Sequence, residues 1–150
     1  MINIDAQYRF SDNALLERAA RFTLDHESAP SNAELTIVLS DDTQLRELNK
    51  QYLGIDAPTD VLSFPSEEEI DPETDVPYLG DIILSIPRAT EQAESAGHRV
   101  EEEAQLLVVH GTLHLLGHDH AEPAEKARMW QAQSEVMVKL GLSHVRVSEE

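Results

Sequence analysis

RVEEEAQLLVVHGTLHLLGHDH, residues 99–120, decides how this chain is built. Glu101, Glu102 and Glu103 put negative charge into the first turn of a helix, where the dipole favours it. From Leu106 the run LLVVHGTLHLL is apolar on nearly every side, so a helix made of it has no face for water. The segment from about Arg99 to Leu116 is therefore expected to be the central buried helix. Gly117 ends it, because a glycine past the last turn adopts the left-handed conformation without a Cβ penalty.

Three histidines in this stretch have the spacing of a metal tripod. His110 and His114 are four apart, and residues i and i+4 share one helix face a turn apart, so both imidazoles reach the same ion. Beyond the turn at Gly117, His120 is placed to close the triangle. The offsets of His110, His114, Gly117 and His120 match the metzincin string H-E-x-x-H-x-x-G-x-x-H, but Gly111 stands where a zinc protease carries its general-base glutamate. Three neutral imidazoles leave the charge of a zinc ion uncompensated and one coordination position open. Such a site is catalytic in type and lowers the pKa of its water to about 7. With no cysteine in the chain, a closed thiolate site is excluded.

Other readings of the same residues stay open. A histidine-rich helix end can be a solvated polar edge, though three histidines at these offsets around a glycine favour the metal. His118 replaces His120 as third ligand only if the helix runs on through Gly117. Asp119 is either a carboxylate orienting a ligand histidine or an ordinary turn residue.

At 150 residues, 41% of them hydrophobic, the chain has the material for one domain, 1–150, with its own core. The absence of cysteine suits a reducing compartment. MINIDAQYRF lacks the basic and apolar regions of a signal peptide, and no run approaches the length of a membrane span, so a soluble cytoplasmic protein is expected. The net charge of −18 opposes generic attraction to phosphate backbones and anionic lipids. Much of it lies in local acidic runs, at 66–75, 101–103 and the C-terminus, which leaves room for a neutral cleft elsewhere.

INIDAQYRF reads as a first strand, followed by a helix through Leu15, Ala19 and Phe22 with Ser11 as N-cap. ELTIVLS at 34–40 is a second strand, after which Ser40 or Asp41 caps a helix carrying Leu45, Leu48 and Tyr52 and closed by Gly54. VLSF at 61–64 and LGDIILSI at 79–86 are the remaining strands, joined by an acidic connection expected to be mobile. Pro87 opens a helix that Gly97 stops, and a last helix after Pro123 carries Ala127, Trp130, Val136, Met137 and Leu140 to Gly141, with Trp130 in the core. About four strands and five helices make an α+β, or mixed α/β, domain with one small sheet. Strand order does not follow from these patterns.

HGTLHLLGHDH, joined in order by LNKQYLGIDAPTDVLSFP at 48–65 and LGDIILS at 79–85, resembles the YbeY family of zinc-dependent endoribonucleases over most of the chain. The resemblance implies a small mixed sheet packed with helices. It also implies one zinc ion on His110, His114 and His120, and a single-stranded RNA substrate in 16S rRNA 3′ end maturation and ribosome quality control. Asp60, Ser63 and Asp81 match family positions as well, with plain structural roles equally open to them. The chain departs from the family at Leu53, where an arginine of the active-site cleft is usual. Leucine offers neither charge nor paired donors to a phosphate, so weak, salt-sensitive cleavage is expected, with Lys50 as the nearest substitute.

Two other function classes fit the tripod: a metal-dependent hydrolase of peptides or small molecules, and a ribosome-biogenesis factor acting mainly by binding ribosomal or ribosome-associated proteins. No general base is identified; Asp81, Asp119 and His118 are candidates.

Overall fold

The β-branched run Thr36, Ile37 and Val38, with Leu35, Ile37 and Leu39 buried in alternation, makes Glu34–Ser40 the pivot of a sheet, flanked on one side by Ile2–Ala6 and on the other by Tyr78–Ser85. In chain order these are β2, β1 and β4, and Val61–Pro65 is β3. A computed structural model describes residues 1–66 and 77–145 of the chain. The strand order is β1-β2-β4-β3, with β1, β2 and β4 parallel and β3 antiparallel to β4. The acidic connection expected to be mobile falls largely on 67–76, outside the described residues.

Five helices among the described residues complete an α+β fold: α1 (Asn13–His26), α2 (Asp42–Leu53), α3 (Ile86–Ala96), α4 (Val100–Leu115) and α5 (Pro123–Lys139). Their ends follow the sequence signals closely. The Asp41 side chain accepts from the Gln44 amide, and Gly54 and Gly97 close α2 and α3 in the left-handed conformation. At α1 the cap is Asp12 instead of Ser11: Asp12 accepts from the Ala14 amide, while the Ser11 hydroxyl donates to Glu101. The first strand is also shorter than INIDAQYRF, since only its first part pairs with β2.

Alternation along the strands divides the core. Ile37, Leu39, Ile82 and Leu84 face a large cluster with α1, α3, α4 and α5, whereas Val38, Leu62 and Ile83 face Leu45 and Leu48 of α2. Helix α4 is the centre of the larger layer, packed against α1, α3, α5, β3 and β4, with Leu106 to Val109 and Gly111 to Leu113 all buried. This is the apolar-all-round helix read from the sequence. Among the described residues no helix is long and apolar enough to cross a membrane.

Candidate metal centre

Helix α4 packs directly on the sheet at Gly111. A Cβ there would lie 2.7 Å from Cγ2 of Ile82 and 3.1 Å from Oγ of Ser63, so the position has no room for a side chain. The Ser63 hydroxyl donates to the Gly111 carbonyl at 3.1 Å, which assigns that strand residue a place in helix–sheet docking. With Gly111 turned into the sheet, the same helix turns His110 and His114 outward, half-buried, into a cleft of about 820 Å³. Beyond Leu115 the chain reverses at Gly117 (φ +98°), the His118 amide donates to the Leu113 carbonyl at 3.0 Å, and exposed His120 comes back over the helix. One ring nitrogen from each of His110, His114 and His120 lies within 4.8 Å of the others.

The outer hydrogen bonds fix which nitrogen each helical histidine presents. Nδ1 of His114 lies 2.9 Å from the carbonyl oxygen of His118, and Nδ1 of His110 lies 2.9 Å from Oε1 of Gln133. Both partners are acceptors, so both Nδ1 atoms carry the proton and both Nε2 atoms present lone pairs. Those two Nε2 atoms are 3.1 Å apart. Burial, with His110 and His120 close by, pushes the His114 pKa down to about 4, and burial lowers that of His110 against the opposing effects of Gln133 and Asp60. No proton is therefore available near neutral pH to separate the facing lone pairs. A cation would do so: two nitrogens bound tetrahedrally to zinc at 2.0–2.1 Å sit about 3.3 Å apart. The donor set fits zinc.

The remaining sequence candidates divide sharply. His118 does not join the tripod; its Nε2 bonds the Glu27 carboxylate while its backbone carbonyl serves His114. Asp119 accepts from the His120 amide at 2.7 Å, a turn role. Asp81 is engaged by the Tyr78 hydroxyl, itself 2.7 Å from Thr36, and is not part of the cleft wall. Asp60 does line the cleft and accepts from the Val61 amide at 2.8 Å. Leu53 and Ile55 form an exposed apolar rim, and no lysine or arginine is among the described residues that line the cleft. Lys50 is exposed and does not reach that wall.

Three features were missed from the sequence. Gln133 is a polar residue within the buried stripe Met129, Val136 and Met137 of α5, a placement that signals a specific partner. Glu103 is buried, not a solvated first-turn charge: it pairs with His98 at 2.6 Å, and burial raises its pKa against the opposing effect of His98. Trp130 stands edge-on to both His110 and His120, with ring centroids 5.7 Å from each, and its buried Nε1 has no hydrogen-bond partner among the described residues. It borders the site as well as the core.

A family profile described as Endoribonuclease YbeY matches residues 3–141. The chain belongs to the YbeY family. Its curated relatives include an endoribonuclease YbeY of Desulfitobacterium hafniense, 43% identical over 93% of this chain and 92% of that one. Another, from Geobacillus thermodenitrificans, is 44% identical over 85% and 86% of the two chains. A Roseiflexus YbeY is 44% identical over 89% and 87%. A protein of Thermotoga maritima solved in solution superposes with a TM-score of 0.60 at 25% identity, covering 100% of this chain and 99% of its own. The YbeY match carries the histidine tripod and the α4–sheet contact together, since both lie within the matched residues.

Proposed function

We propose that this protein is a zinc-dependent endoribonuclease that cleaves single-stranded RNA in the cytoplasm, in 16S rRNA 3′ end maturation and ribosome quality control, with residues 1–150 acting as one domain. The observation that carries the reading is the pair of bare Nε2 atoms of His110 and His114, 3.1 Å apart beside His120 in the cleft of a YbeY family member. Zinc bound there would supply Lewis acidity toward a phosphoryl oxygen and lower the pKa of a water molecule.

The chain's own part is to hold and orient. His110, His114 and His120 are the proposed ligands, Gln133 and the His118 carbonyl keep the two helical imidazoles in the ligating tautomer, and buried α4 holds their spacing rigid. An open cleft walled by Leu53, Ile55 and Asp60 suits a strand whose bases are unstacked, since a paired A-form helix hides its bases from side chains. Gly111, packed on Ile82, removes the glutamate base of the metzincins and counts against a protease. No side chain of the cleft is assigned as general base.

Metal analysis of purified protein, combined with cleavage assays on single-stranded and duplex RNA and a His114→Ala control, tests the proposal. One zinc per chain with His114-dependent cleavage of the single strand is the expected result; cleavage that survives His114→Ala sinks it. A second reading, a ribosome-biogenesis factor acting mainly through protein partners, draws on the exposed apolar rim of Tyr52, Leu53 and Ile55. Retained cellular function of His114→Ala would favour it.

A further inference from the structure

The geometry points to Glu27 as a positioning residue of the metal centre: through the imidazole of His118 it fixes the carbonyl that holds His114 in its ligating tautomer. Glu27 is 91 residues away in sequence, at the C-cap of α1. Its own place is fixed by its backbone, whose amide donates to the Thr23 carbonyl at 3.1 Å, and by the turn that follows, where Ser28 takes φ +57° and the Ala29 amide returns to Leu24 at 2.9 Å. A carboxylate carried on that rigid helix end accepts from Nε2 of His118.

His118 is thereby held at three points. Its amide donates to Leu113, its carbonyl accepts from Nδ1 of His114, and its ring is tied to Glu27. The first two bonds lie within the turn that ends α4 and would move with it; the third ties that turn to a different helix. Both partners are half-buried, with side chains 21% exposed, so their charge-assisted bond is partly shielded from water. If the tie is cut, the His118 carbonyl is free to swing, and with it the orientation of His114 and the course of the chain that delivers His120.

This inference rests on the metal reading above. Its test is zinc affinity, measured by competition with a chromophoric chelator, on the full chain. Glu27→Ala should weaken zinc binding roughly tenfold, the lower end of the loss typical when a partner orienting a metal ligand is removed. Glu27→Gln, whose amide oxygen still accepts from His118, should stay within about threefold of wild type. His118→Phe should lose as much as Glu27→Ala, and adding Glu27→Ala to it should cost nothing more, because the two act as one link. Should Glu27→Ala fail to fold in thermal melts of the chelated protein, His118→Phe cuts the same link from the other end and decides alone. Unchanged affinity in Glu27→Ala or His118→Phe, or fully additive losses in the pair, overturns the role of Glu27 while the metal reading stands. A wild-type protein that binds no zinc overturns both.

Discussion

Gly111 and Ile82 are in contact so close that a Cβ on the glycine would sit 2.7 Å from the isoleucine Cγ2. Ile82 is fully buried in β4 and cannot retreat without displacing its neighbours in the larger core. Gly111→Ala should therefore destabilise the protein by about 1–3 kcal/mol through overpacking, although alanine is the better helix former. Urea denaturation checks this. A gain in stability would mean that α4 does not dock on the sheet as described. Because α4 carries His110 and His114, zinc affinity should fall in the same variant.

Zinc and fold should be only partly coupled. The large cluster of α1, α3, α4, α5 and the sheet forms without any group from His120, and a chain of this size does not depend on metal as a small zinc finger does. Chelation should lower the melting temperature and leave a folded protein by far-UV circular dichroism at 25 °C. An unfolded apo form would contradict the packing described for α4.

The metal-free protein should lose stability in acid through His114. Its pKa in the folded state is about 4, below the ordinary 6.5, so between these values the unfolded chain binds more protons than the folded one and stability rises with pH. The contribution is fully present above pH 6.5 and is lost as pH falls toward 4. Allowing for solvent screening of a half-buried ring, it should be on the order of 1–2 kcal/mol. Melting of chelated protein from pH 4.5 to 7.5, with His114→Ala for comparison, reads it directly. The variant should show a flatter profile in that window; an identical slope would place the acid sensitivity elsewhere.

Trp130 is the single tryptophan of the chain, and its ring lies edge-on to two of the proposed ligands. Zinc added to the apo protein should change its fluorescence, and Co²⁺ should quench it by direct contact range, saturating at one equivalent. A tryptophan signal blind to metal while metal analysis finds one ion per chain would locate that ion away from the tripod.

What the sequence made legible were the features written in neighbouring residues. The i, i+4 spacing of His110 and His114, the capping of α2 by Asp41 and its closure at Gly54, and the apolar run that buries α4 all depend on local chemistry, and all are present in the fold. Ser11 was displaced as a cap because the adjacent Asp12 reaches the Ala14 amide and Glu101, 90 residues on, draws the serine hydroxyl away. The order β1-β2-β4-β3 was not legible, since pairing partners are chosen by packing across the whole chain. For the same reason Gln133, 23 residues from His110, and Glu27, 91 from His118, carried no sign in the histidine motif itself.

Leu53 gives the sharpest test of the nuclease reading. It ends α2 at the rim of the cleft, 59% exposed, in a wall where the described residues include no lysine or arginine. An arginine fits there without strain, and positive charge at a helix C-terminus is favourable. Leu53→Arg should therefore leave stability unchanged and tighten binding of single-stranded RNA by roughly three- to tenfold, about 0.7–1.4 kcal/mol, less than a buried phosphate contact because the site is wet. The slope of log affinity against log salt should become steeper by about 0.7, the signature of one added phosphate contact on a single strand. Leu53→Ala should change little. Lys50 is exposed and off the cleft wall, so Lys50→Ala should leave binding near wild type; a clear loss would mean that Lys50 swings in to serve the phosphate. If neither substitution alters RNA binding while His114→Ala abolishes activity on some other phosphodiester or amide, the substrate is not RNA.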